Sequence, residues 1–129
     1  MHASFPPRSI LIPSLLLLLV AGCNDLVPGT DDNLTARLDA AHQIANPALA
    51  DSKLAKVAED AAFVGNDDIS AAAVSSIQSA SLRNKTAYNS AIWLARNGNR
   101  ESAVALAQTI NDGTLRDKLL DKLSDPLAP

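Results

Sequence analysis

A single cysteine, two histidines and no cluster of basic residues set the first limits on this chain of 129 residues. One cysteine can build neither an internal disulfide framework nor a thiolate metal site. Of the two imidazoles, His2 lies in the leader described below, so His42 stands alone in the body of the chain, with no partner for metal or triad chemistry. Eleven Lys and Arg against 14 acids give a net charge of −3, and the cations are scattered. Nucleic-acid binding needs them clustered, which excludes that class. No G-x-S-x-G elbow, S-x-x-K or H-E-x-x-H motif occurs. The acids of "GNDD" and "TDD" lack the alternating oxygen ligands and distant Glu of a calcium loop, and are read as helix caps. Glu59 and Asp60 are neighbours in sequence and point in different directions on a helix, which disfavours paired acid–base work. The expectation is a protein with no catalytic residues, no cofactor and no metal.

What is present begins at the N-terminus. Met1–Pro7 carries no acid, Arg8 supplies a positive charge, and "ILIPSLLLLLV" runs uncharged from Ile10 to Val20. Small residues Ala21 and Gly22 precede Cys23. This order is that of an export signal, and the apolar part is shorter than the roughly 20 residues that span a bilayer. "VAGC" resembles the lipobox of bacterial lipoproteins. That resemblance implies cleavage before Cys23, a diacylglyceryl thioether on its sulfur and acylation of the new amine. It also accounts for a lone thiol in an exported chain. Two or three acyl chains anchor stably where one does so only reversibly. Asn24, where inner-membrane retention favours Asp, resembles the outer-membrane class, so the expected location is the bacterial cell envelope, at the outer membrane facing the periplasm. Cleavage takes Arg8 with the leader, so the part that remains, 23–129, is more acidic than the whole and long enough for one domain. "NDLVPGTDD", with Pro28 and Gly29, reads as a tether.

Beyond the tether the chain repeats itself. "GNDDISAAAVSSIQSASLRNK" (Gly65–Lys85) aligns without gaps on "GNRESAVALAQTINDGTLRDK" (Gly98–Lys118). Gly-Asn, Ala72/Ala105, Ile77/Ile110 and Leu-Arg-x-Lys all match, and Ile44 and Leu49 keep the spacing one period earlier. A fixed period of this size, from Gly65 to Gly98, marks a helical array. Leu54, Val57, Ala58 and Ala61 form one apolar face, and Ser70, Ala73, Val74 and Ile77 the next. Ala87, Ala91, Ile92, Leu94 and Ala95, then Ala103, Leu106, Ala107 and Ile110, repeat the pair. Gly65 and Gly98 stop the first helix of each pair. Earlier still, "LTARLDAAHQIA" reads as a helix carrying His42, and Thr114 as the N-cap of "LRDKLLDKL". The spacing, with Ala91, Gly98 and Ala103 in register, resembles tetratricopeptide-like and HEAT-like helical repeats. The period is one residue short of the former, and no Pro closes each unit.

The expected architecture is all-α: a short α-α helical-repeat stack of about 2.5 repeats of 33 residues, bundled rather than superhelical. It divides as a signal peptide (1–22), lipidated Cys23 with a flexible tether (23–32), the repeat domain (33–124) and a C-terminal tail (125–129). Such a stack presents grooves, which makes it a protein- or peptide-binding module for an envelope partner, attached to the membrane through Cys23. The candidate contact residues are Trp93, aromatic where the other repeat has Asp60, Tyr88 five residues before it, and the periodic Arg83 and Arg116. Trp93 and the arginines have plain structural alternatives: Trp93 covering a helix junction against the C-terminal helix, and the arginines bridging to carboxylates or helix-end carbonyls. A second reading makes the chain a homo-oligomeric structural spacer, because Leu115, Leu119, Leu120 and Leu123 close the array and need cover.

Overall fold

A computed structural model describes residues 31–126, and over them the chain is all-α. Cys23, the leader, the tether up to residue 30 and residues 127–129 lie outside the described residues. Six helices follow one another: α1 (Asp31–His42), α2 (Pro47–Phe63), α3 (Asp67–Ser76), α4 (Ala80–Arg96), α5 (Arg100–Gln108) and α6 (Gly113–Ser124). Helices α2, α4 and α6 begin at Pro47, Ala80 and Gly113, one full period apart each time.

The same local chemistry sets the ends in each unit. Asn46, Asn66, Ser79, Asn99 and Asp112 each accept, through a side-chain oxygen, the backbone N–H three residues on. Each thereby satisfies one of the amides that a first helical turn leaves without a partner. Asp112 takes this role in α6, not Thr114, which sits one residue inside the helix. The cap lies further back because Gly113 adopts helical geometry and leaves Asp112 extended, at φ −74° and ψ 108°. At the other end, Gly65 and Gly98 have φ of +85° and +86°, where a Cβ would be strained. The amide of Asn66 then bonds Ala61 O and that of Asn99 bonds Leu94 O, closing both helices in the same way. Each of these asparagines ends one helix and caps the next, so the turn takes only three residues.

Helix α1 starts at Asp31, so two residues read as tether already belong to its first turn, and it ends at His42, short of Ile44. His42 shares a hydrogen bond of 3.0 Å with Ser76 Oγ. Ile77 and Ile110 lie just past the ends of α3 and α5, yet both are buried.

Packing follows the two kinds of helix. The long helices α2, α4 and α6 lie side by side, α3 packs on α2 and α4, α5 packs on α4 and α6, and α1 closes the first end against α2 and α3. The predicted apolar faces turn inward: Leu54, Val57, Ala58, Ala61, Ser70, Ala73, Val74, Ala87, Ala91, Leu94, Ala95, Ala103, Leu106 and Ala107 are all buried, and Ile92 is half-buried. Eleven of the 21 buried apolar residues are alanine, so each contact excludes little area and stability is spread over many. Leu119 and Leu123 of α6 are buried in the main core, with Leu115 and Leu120 packed on it. Within one chain the stack thus covers Leu119 and Leu123 fully and Leu115 and Leu120 in part.

Polar clips hold the units in register. Asp51 of α2 is buried and accepts the amides of Gln78 and Ser79 at the start of α4, both at 2.9 Å. One period later Asn84 accepts the amide of Asn111 at 3.2 Å. The Ser70 hydroxyl donates to Ala58 O across α2 and α3, and Asn97 Nδ2 donates to the carbonyls of Ala62 and Phe63. By contrast Thr86 Oγ1, in α4, is buried without a hydrogen-bond partner.

Two substitutions test this account by urea unfolding. Asp51→Ala leaves two amides without their acceptor and is expected to cost about 1–3 kcal/mol, with Asp51→Asn recovering part of the loss. Thr86→Val removes an unsatisfied hydroxyl at nearly constant shape and is expected to gain about 1 kcal/mol.

Candidate binding groove and aromatic cap

Helices α3 and α5 do not pack along their length, and the gap between them forms a groove. It encloses about 750 Å³ over a floor of Val74, Leu94 and Leu106. Ala71, Ala72 and Ser75 of α3 form one wall, and Ala105 and Thr109, on and just past α5, the other. The long helices beneath are continuous while α3 and α5, with 10 and 9 residues, are short, and their facing residues are too small to fill the space.

The groove has two chemically different ends. At the first turns of α3 and α5 the Ser102 hydroxyl donates to Asp67 Oδ2 at 2.6 Å, tying the two helices together beside exposed Asp68. That bond, with help from Asn99 and the helix-start amides and against partial desolvation, holds the Asp67 carboxyl below the usual range. Ten residues of α3 span about 15 Å, and past its far end stands Arg83. Its Nη1 donates to Ile77 O at 2.8 Å and more weakly to Gln78 O, fixing the guanidinium at the groove edge. An apolar trough with acids at one end and a cation at the other can hold a short chain segment of the opposite polarity.

Trp93 lies elsewhere. Half-buried on α4, its ring meets Phe63 edge-on with centroids 4.7 Å apart, and the Arg96 guanidinium sits 5.4 Å from its centroid. It thus covers the junction with the C-terminal end of α2. Phe63 and Val64 are 57% and 48% exposed, so this aromatic cap is open to its surroundings. Asp60, one period before Trp93, carries an ion pair instead, at 2.7 Å to Arg37 and 2.8 Å to Lys56. Partial burial raises its pKa, but the bonds from Lys56 and Arg37 outweigh this and leave the carboxyl lowered.

Of the four contact candidates, only Arg83 lines the groove. Tyr88 is half-buried against the core, and Arg116 approaches Asp117 at 3.9 Å on α6. The structure does not bring the four together. Sequence reasoning missed the groove walls and the Asp67–Ser102 tie. Ala72 and Ala105 match one period apart and could have signalled a shared exposed face, whereas Asp67 and Ser102 are 35 residues apart, out of register with the repeat. Among the described residues no three His, Cys, Asp or Glu side chains gather into a metal-sized cluster, and no helix is long and apolar enough to cross a membrane. No protein family, curated protein or solved structure matches this chain.

The lowered carboxyls fix the sign of the acid response. A folded pKa below the unfolded value contributes stability that is complete above about pH 4 and is lost as pH falls through the folded value. Carboxyl NMR titration should show Asp67 and Asp60 titrating low. Ser102→Ala is expected to return Asp67 toward the ordinary range and leave Asp60 where it was.

Proposed function

We propose that this chain is a lipid-anchored lipoprotein of the bacterial envelope whose helical-repeat domain captures a segment of a partner protein, without catalysis. The leader ending in "VAGC" supports the anchor on Cys23 and the envelope location, with Asn24 favouring the outer membrane. The observation that carries the binding role is the trough between α3 and α5, about 750 Å³ with opposite charges at its ends. The segment it suits has a small apolar middle, a basic residue toward Asp68 and a carboxylate toward Arg83. Its length is about four or five extended residues, given some 15 Å of groove and about 3.3–3.6 Å per residue. A tether to the membrane raises the effective concentration of such a site near envelope partners, so modest affinity suffices.

Two measurements test the proposal. Mass spectrometry of the N-terminal peptide should find Cys23 acylated, and Cys23→Ser should move the chain from the membrane to the soluble fraction. A photo-crosslinking residue placed at Ala105 in intact cells should attach to one defined envelope protein. Ala72→Leu, which fills the trough from the exposed wall of α3, should lower that yield at least tenfold with helicity unchanged. An unaltered yield removes the groove from the account.

A further inference from the structure

The aromatic cap and the point where the tether enters the domain are at the same end of the stack. Asn66 Nδ2 donates to Asp31 Oδ1 at 2.9 Å, which places the first residue of α1 beside the turn that follows Val64. The chain arriving from Cys23 therefore reaches the domain next to Phe63, Val64 and Trp93. The stretch from Cys23 to Asp31 spans at most about 29 Å, so an anchor on Cys23 is held within that reach of this end of the domain.

We propose that Phe63, Val64 and Trp93 form a second, non-covalent contact with the lipid bilayer, which orients the anchored domain. This inference rests on the lipid-anchor reading. Its chemistry comes from the cap. Three large apolar residues are conspicuously exposed among the described residues, Leu49, Phe63 and Val64, and two of them are adjacent at the tether exit. Trp and Phe favour the boundary between headgroups and acyl chains, where an amphipathic ring has both media within reach. Arg96, stacked on Trp93, would meet the phosphates of a docked bilayer. Asp31 and Asp32 open α1 and Asp67 and Asp68 open α3 on either side of the Asn66–Asp31 bond, so the surface that fits is zwitterionic, with ammonium headgroups to meet the acids, and not strongly anionic. Docked so, the long helices stand away from the membrane. The Arg83 end of the groove then points outward and its acidic end toward the lipid.

Trp93 is the sole tryptophan and Cys23 the sole cysteine, which makes the test direct. Residues 23–129, shown helical by circular dichroism, are coupled through Cys23 to a maleimide lipid in phosphatidylethanolamine–phosphatidylcholine vesicles, some carrying brominated acyl chains. Bromine is expected to quench Trp93 emission at least twofold. The double variant Phe63→Ser/Val64→Ser should lose most of that quenching, and so, independently, should Arg96→Glu. Leu49→Ser, about 20 Å away along α2, should retain it. Absence of quenching in the coupled parent chain, or equal quenching in the double variant, overturns the proposal. So does a cap that instead joins two copies, seen as concentration-dependent dimers that Phe63→Ser dissolves. Chemical coupling replaces cellular acylation, so failure here is distinct from finding Cys23 unmodified in cells.

Discussion

Methyl-to-methyl contact between helices is the constraint from which the architecture follows. Ala58, Ala62, Ala73, Ala87, Ala91, Ala103 and Ala107 are almost completely buried, and residues so small let helix axes come near the close end of the usual range of about 8–10 Å. They exclude little water each and fit many relative positions almost equally well, so an alanine seam by itself sets register poorly. Polar clips make up the difference. Asp51 and Asn84 take up amides at or just before the start of the next long helix, and Asn97 binds the carbonyls at the end of the previous one. These bonds are directional, and a slip of one helical turn would leave donors without acceptors, at about 1–3 kcal/mol each. The seam brings the helices close and the clips decide where they stop.

The groove is a by-product of the same economy. The layer of long helices is continuous, but α3 and α5 are short and present alanine, serine and threonine to each other, so nothing fills the space between them. The bond from Ser102 to Asp67, with help from Asn99, ties their first turns and leaves the remainder open. Larger residues at 72 and 105 would have closed it and added core.

Much of the fold was readable from the period. The match of Gly65-Asn66 with Gly98-Asn99 located both turns, since among the described residues only those glycines adopt positive φ, and nearly every residue of the predicted apolar faces is buried, although Leu34, Ala55, Ala62, Asp51, Thr86 and Ser90 are buried outside them. Errors fell at the ends of the array, where no second copy was there to compare. Thr114 was read as a cap because hydroxyls often are, but Asp112 precedes a glycine willing to begin a helix. The site was less legible than the fold. Arg83 recurs as Arg116 in the sequence, yet one holds carbonyls just past the end of the preceding short helix at the groove and the other meets a neighbouring Asp117, although a short helix precedes each. Trp93 stood out by composition, but its partner Phe63 lies in the preceding long helix and off the period, and only the packing of α2 on α4 unites them.

The equally spaced starts of the long helices, at Pro47, Ala80 and Gly113, have an evolutionary and engineering implication. The clip between successive long helices recurs, from Asp51 to Gln78 and from Asn84 to Asn111, so a whole extra copy spliced in at Ser79 would meet the same clip on either side. Such a chain could grow or shrink by complete modules, with the pairings that fall off the period, Phe63–Trp93 and Asp67–Ser102, as the contacts left to rebuild.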